Sequence, residues 1–349
     1  MGAYHRSFAR LSVITLLLTG CKSQLLSSGP TSSESPPPTE SASIACPFQL
    51  PSKPALGVPV TQELSYGCES IQKMDITYTP GETGPLLLEI HGGGWFSGDK
   101  ADSGMAGFRA YFRSLGFVVV SMNYRLVNQG SPSTGAHFPE PINDVACALA
   151  TLTQNAAFFG VNSRRVLFGH SSGGHLATLL ALSPEGRNGS VWGDSTCGVS
   201  VSRQDLTVDG AIGSSPLFDL SLAPSGRDTD ISNMLNLLNL GTDNFRNHPD
   251  VYLPASPIHY VNSFDAPIFA VIGGADGFIN APQQDAAMGP AMNAAGNFYD
   301  SIVVAGWSHN EFQLEMRTYN PAISPTGSLK TVLDRVYGYL ADDLDVLTP

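Results

Sequence analysis

The chain has 349 residues, 42% of them apolar and 14% charged, which is long enough for one large hydrophobic core and excludes a disordered polymer. A formal net charge of −12 without any cluster of Lys and Arg excludes nucleic-acid binding, which needs grouped cations to neutralise phosphates. The acidic balance reads as a source of solubility rather than as a sign of an acidic partner.

The first element is a targeting segment. His5, Arg6 and Arg10 form a basic start, and residues 11–19 form an apolar run too short to cross a bilayer. The run ends in Leu18-Thr19-Gly20-Cys21, which resembles a bacterial lipobox. That resemblance implies cleavage before Cys21 and lipidation of its thiol; an ordinary secretory signal is the alternative. Residues 1–20 are then a lipoprotein signal peptide and 21–45, with Pro36-Pro37-Pro38, a Ser/Pro-rich tether. The folded domain is expected over 46–349, exported and lipid-anchored to a bacterial membrane. Without Cys21, four cysteines remain, and in an exported protein they suggest disulfides with three possible connectivities. Closeness along the chain favours Cys46 with Cys68, leaving Cys147 and Cys197 for a second bridge. No C-x-x-C pair occurs, so no thiolate metal site is expected.

From Cys46 onward, apolar runs alternate with helical patterns, which predicts an α/β fold whose mostly parallel sheet is covered on both faces. Strands are predicted at 74–78 and 86–90, the second running directly into His91-Gly92-Gly93-Gly94-Trp95. Acyl transfer builds negative charge on a carbonyl oxygen, and glycine amides after a strand can turn toward one point to stabilise it. A helix over 103–114, a strand over 117–122 and a helix over 141–158 follow, the last with Pro141 in its first turn. A short buried strand at 166–168 then meets Gly169-His170-Ser171-Ser172-Gly173 and a small-residue helix over 173–182. G-x-S-x-G between strand and helix marks a nucleophile elbow, with Ser171 lifted clear of the sheet. The oxyanion donors expected from these two motifs are the amides of Gly93, Gly94 and Ser172.

After a strand at 208–212 the alternation breaks over 214–262, a cap-like insertion with a short amphipathic helix at 235–240. Phe218, Phe245, Tyr252 and, before the insertion, Trp192 could line a pocket, although aromatic residues in insertions commonly pack locally. The alternation resumes with a strand at 268–272, a helix at 282–295, a strand at 301–304 and a helix at 329–340.

A serine nucleophile needs a base, and the base an orienting acid. Of eight histidines, His5 is in the signal, His91 and His170 belong to motif backbones, and His175 lies one turn into the helix after Ser171. His137, His248 and His259 precede the expected acid, which leaves His309, placed after a strand and a glycine turn. Phe269-Ala270-Val271-Ile272-Gly273-Gly274-Ala275-Asp276 gives a buried strand, glycines and a carboxylate, so Asp276 is the acid. Asp265 precedes its strand, Asp285 falls inside a helix, and Glu311 is too close to His309 to orient it.

The glycine loop with Gly98-Asp99-Lys100, then Asn123-Tyr124-Arg125-Leu126, then Phe138-Pro139 through Asn143-Asp144 to the elbow and Gly173-Gly174-His175, resembles the α/β-hydrolase esterases. By pattern the chain is similar to hormone-sensitive-lipase-like carboxylesterases and, more so, to BD-FAE-type esterases, which also resemble kynurenine formamidases. Over roughly residues 70–315 the resemblance implies an α/β-hydrolase fold, a triad of Ser171, Asp276 and His309, and an oxyanion hole of Gly93, Gly94 and Ser172. It also implies hydrolysis of small-molecule or glycan-linked esters through an acyl-enzyme, with no metal or organic cofactor. An amide hydrolase with the same triad and a non-catalytic anchored binding protein are the alternatives. Such relatives often follow the acid with a small-residue/Val-Pro turn, where this chain has Gly277-Phe278-Ile279-Asn280.

Overall fold

In the computed structural model, which describes residues 46–127, 135–186, 189–223, 237–240, 245–263 and 265–347, the apolar runs become the inner strands of one sheet. The expected signal, Cys21 and tether lie outside the described residues, as do Leu235 and Asn236 at the start of the predicted short helix and the side chain of Phe245.

Among the described residues the sheet has eight strands: β1 (Val60–Ser65), β2 (Lys73–Tyr78), β3 (Gly84–Ile90), β4 (Val118–Met122), β5 (Val161–His170), β6 (Gly210–Ser214), β7 (Ile268–Gly273) and β8 (Tyr299–Val304). Their order is β1-β2-β4-β3-β5-β6-β7-β8, with β1 and β2 antiparallel and every pairing from β4 through β8 parallel. All strands predicted from sequence are present. β1 was not anticipated, because its Val-Thr-Gln-Glu-Leu-Ser is mostly polar and only Leu64 is buried, as suits an edge. β5 is ten residues long instead of three, its polar first half pairing through Gly84 and Val161.

Helices cover both faces: α1 (Ala106–Ser114), α2 (Glu140–Gln154), α3 (Ala156–Phe159), α4 (Ser172–Leu182), α5 (Ala281–Ala295), α6 (Glu311–Arg317) and α7 (Gly327–Gly338). Strand alternation sorts the core into two layers. Leu86, Leu88 and Ile90 face α2 and α4, whereas Leu87 faces Phe108, Phe112 and the α6 and α7 side. The single helix expected over 141–158 divides at Asn155, whose side chain takes the Thr151 carbonyl at 2.8 Å and ends α2. Short 3₁₀ turns make up much of the described part of the insertion, and its Leu217, Phe218, Leu220 and Ala255 are buried in the α2 and α4 layer.

The disulfides pair Cys46 with Cys68 and Cys147 with Cys197, the pairing expected, at Cα separations of 5.5 and 5.2 Å. The first fixes the start of the domain beside the β1–β2 connection, and the second ties α2 to the segment after α4; each contributes about 3–4 kcal/mol by restricting the unfolded chain.

Beside the second bridge, a polar network explains two of the motifs. Asp144, fully covered in α2, accepts from the Arg125 amide at 2.6 Å, Arg125 Nε at 2.9 Å and Gln72 Nε2 at 2.7 Å. The Arg125 guanidinium also reaches Asp194 at 2.7 Å. Asn123 holds the Lys100 amide and, through its Nδ2, Asp99 at 3.0 Å. The Asn123 contacts anchor the glycine loop where it ends, at Asp99 and Lys100.

Candidate active site

β5 ends at His170 and α4 begins at Ser172, so Ser171 alone makes the turn, at φ 54° and ψ −120°. This conformation costs an L-residue on the order of 1–3 kcal/mol. It is held by the Ser171 amide, which donates to the Ser214 carbonyl at 2.8 Å. The flanking glycines are required by space: a Cβ on Gly169 would lie 2.1 Å from the Gly173 carbonyl oxygen, and one on Gly173 would lie 2.1 Å from that of Ile90. Ser172, the first residue of α4, has an N–H with no intrahelical partner, directed with the positive end of the helix dipole.

The loops after β7 and β8 are bound to one another, Gly274 N to the Val304 carbonyl and Ala275 N to that of Trp307, both at 2.9 Å. Their union brings Asp276 and His309 together. His309 Nδ1 lies 2.8 Å from Asp276 Oδ2, and its Nε2 lies 2.8 Å from Ser171 Oγ. Burial works to raise the Asp276 carboxyl, but the hydrogen bond and charge of His309, the Ser215 hydroxyl and the Phe278 amide outweigh it and hold the carboxyl below its ordinary value. An ionised Asp276 can only accept, so the proton sits on His309 Nδ1, and Nε2 is left to accept from the Ser171 hydroxyl.

The glycine loop lies against the elbow; a Cβ on Gly92 would be 2.9 Å from the His170 carbonyl oxygen and 3.4 Å from Ser171 Cβ. Gly93, Gly94 and Trp95 all have positive φ, at 113°, 61° and 65°. The Phe96 and Ser97 amides donate to the Gly93 carbonyl at 3.2 and 3.1 Å, which turns that carbonyl into its own loop. Because the peptide is planar and trans, the Gly94 N–H points the opposite way, out of the loop. Trp95 is clamped from behind: its indole N–H donates to His175 Nδ1 at 3.2 Å, and His175 Nε2–H donates to the Ala255 carbonyl at 2.6 Å. Burial lowers the His175 imidazole to about 4, so it stays neutral and can play both roles.

Sequence reasoning placed Ser171, Asp276 and His309 in one site, and the structure brings all three into contact. It missed three neighbours. His170 is buried and lies 5.1 Å from the His309 ring, with Nδ1 3.1 Å from Ser214 Oγ and Nε2 3.3 Å from Asn310 Oδ1. Burial, followed by the nearby His309, lowers His170 to about 3, so no second cation sits beside the base. Ser215 hydrogen-bonds Asp276, and the Phe278 ring packs on His309 at 4.7 Å. Only the departure at Phe278 left a trace in the sequence. Phe218 and Trp192, raised as pocket residues, are instead buried, Phe218 near Tyr299 and Trp192 against Phe138.

Behind the glycine loop, Glu89 is 2% exposed and faces α1, where Arg109 holds both its carboxylate oxygens at 3.0–3.1 Å. Arg109 also donates to the Asp102 carbonyl at 2.7 Å. Burial pushes the Glu89 carboxyl up to about 7 against the pull of Arg109. A raised carboxyl gives stability that is complete below its ordinary value of 4.5 and fades as pH rises through about 7. Removing Arg109 raises the carboxyl further and strands its charge at alkaline pH. Arg109→Leu is therefore expected to lose about 3 kcal/mol of unfolding free energy at pH 8 and markedly less at pH 5. Urea melts at the two pH values check this; an equal loss at both would contradict the assignment.

The family model described as BD-FAE matches residues 74–288, more than half of the chain. Esterase LipQ of Mycobacterium tuberculosis is 27% identical over 67% of this chain and 52% of its own length. The chain spans about half the length of the curated relatives it matches. Among solved structures, a truncated carbohydrate esterase from gut microbiota superposes with a TM-score of 0.59 at 21% identity, covering 77% of this chain and 99% of that one. Apo Thermogutta terrifontis esterase 2 superposes with a TM-score of 0.61 at 20% identity, covering 86% and 100%. These likenesses show an α/β-hydrolase fold.

Proposed function

The chain belongs to the BD-FAE family, and from that premise we propose that it is a serine carboxylesterase acting through an acyl-enzyme on Ser171. The observation that carries the reading is the continuous hydrogen-bonded chain Ser171–His309–Asp276, with 2.8 Å at each step. As Ser171 Oγ attacks the ester carbonyl carbon, its proton passes to His309 Nε2, and Asp276 steadies the imidazolium. The carbonyl oxygen gains the negative charge and is met by the amides of Gly94 and Ser172, with Gly93 beside them. When the tetrahedral intermediate collapses, the carbon–alcohol oxygen bond breaks and His309 gives its proton to the leaving oxygen. Water, deprotonated by the same His309, then attacks the acyl-enzyme and releases the acid.

A fluorophosphonate probe tests the reading. One adduct per chain is expected, on the peptide that contains Ser171, together with loss of p-nitrophenyl ester hydrolysis in step with labelling. A folded protein that neither labels nor hydrolyses any member of an acetate-to-palmitate series would point to the non-catalytic binder. Labelling with turnover of amides alone would point to an amide hydrolase.

The reading includes location. Leu18-Thr19-Gly20-Cys21 supports a lipid anchor on Cys21, with residues 22–45 as the tether that lets the enzyme reach ester substrates beyond the membrane surface. The full chain expressed in a bacterium is expected in the membrane fraction, and Cys21→Ala in the soluble exported fraction. Equal partitioning of the two would remove the anchor from the proposal.

A further inference from the structure

The turn after the acid puts an aromatic ring against the base. The Phe278 amide donates to Asp276 Oδ1 at 3.0 Å, which fixes the backbone two residues beyond the carboxylate. Its ring centroid lies 4.7 Å from that of His309, with the planes inclined by 35°. Asp276 is covered, yet Phe278 remains 38% exposed, so the ring both packs on the base and presents a surface outward.

For His309 to protonate a leaving alkoxide, that oxygen must come within roughly 2.6–3.2 Å of Nε2. The first carbons of the alcohol then lie beside the imidazole, the ring on which Phe278 packs. The acyl group is held differently, by its carbonyl oxygen at the amides of Gly94 and Ser172. Resting on the esterase reading, we propose that Phe278 determines specificity for the alcohol half of the ester, favouring alcohols that carry a flat apolar ring to stack on it. Stacking of this kind is worth about three- to tenfold in rate once the alcohol is bound in the transition state.

The two halves of the reaction separate this role from a structural one. His309 serves both acylation and deacylation, but the alcohol is present only in acylation. If Phe278 merely shielded the Asp276–His309 pair, its loss would slow both steps for every ester. The experiment compares the full chain with Phe278→Ala and Phe278→Tyr, using benzyl acetate, methyl acetate and the post-burst phase of p-nitrophenyl acetate. In Phe278→Ala the benzyl-to-methyl ratio of kcat/KM is expected to fall about three- to tenfold, with no matching fall in acetyl-enzyme hydrolysis. Phe278→Tyr, which keeps a flat ring, is expected to keep the ratio. An unchanged ratio in Phe278→Ala, or equal slowing of acylation and deacylation, overturns the proposal. If the unaltered protein forms no acetyl-enzyme on Ser171, the esterase reading fails first and this proposal falls with it.

Discussion

Ser171→Ala is expected to lower kcat for p-nitrophenyl acetate by roughly 10⁶-fold while leaving the fold in place. The substitution removes only Oγ. The Cβ already stands at φ 54°, and the hydrogen bond that holds the turn runs from the Ser171 amide to Ser214, so the variant keeps both the strain and its restraint. What it loses is the acceptor of the acyl group, and with it the covalent route. Any residual catalysis comes from the oxyanion amides and binding, about 10³-fold over water. The same logic makes the site non-additive: His309→Ala in the Ser171→Ala background should cost little more than Ser171→Ala alone, because a base without a nucleophile has nothing to activate. Turnover of the single variant above one hundredth of the parent, with an unchanged near-UV spectrum, would remove Ser171 from the mechanism.

Why these three residues were legible follows from how the fold marks them. Ser171 and Asp276 sit just past strands with both faces covered, which read as unbroken apolar runs, Val166-Leu167-Phe168 and Ile268 to Ile272, as does Leu86-Leu87-Leu88 before the glycine loop. His309 follows the half-buried edge strand β8, where Ile302-Val303-Val304 is the signal. Glycines then mark the turn, because loops that come together at the strand ends leave no room for a Cβ; one on Gly273 would lie 2.7 Å from the Trp307 carbonyl oxygen. The Cys46–Cys68 pairing was legible from nearness in the chain. The illegible parts have the opposite character. β1 carries too few apolar residues to announce itself, and α6 is seven residues with Glu311, Glu315 and Arg317 on its surface. His170, Ser215 and Phe278 matter through partners that the fold alone supplies: His170 meets Asn310 across 140 positions, and no local pattern encodes that meeting. His175, set aside as a base because it lies one turn into its helix, is made the brace behind the glycine loop by the Trp95 indole and the Ala255 carbonyl.

The acid offers the sharpest test of the proton arrangement, because an amide can take its place without changing shape. Asp276 Oδ1 accepts from the Phe278 amide at 3.0 Å and the Ile279 amide at 3.4 Å, while Oδ2 faces His309 Nδ1. In Asp276→Asn the two backbone donors select the side-chain oxygen, so the NH₂ group turns toward His309. A donor there forces Nδ1 to accept, which moves the imidazole proton to Nε2, where it faces Ser171 Oγ. The hydroxyl then meets an N–H instead of a lone pair and cannot hand over its proton. About 10⁴-fold in kcat is the expected loss, the size seen when the same tautomer switch is made in another serine hydrolase. Stability should change in a defined direction as well. A carboxyl held below its ordinary value of 3.8 adds stability above that pH and gives it up as pH falls through the lowered value, so the variant is less stable than the parent at pH 7 and the gap closes in strong acid. Circular dichroism melts at pH 7 and pH 3, set beside kcat from the same preparation, separate a lost tautomer from a lost fold. A folded Asp276→Asn with turnover within tenfold of the parent would mean that His309 takes its orientation from another group.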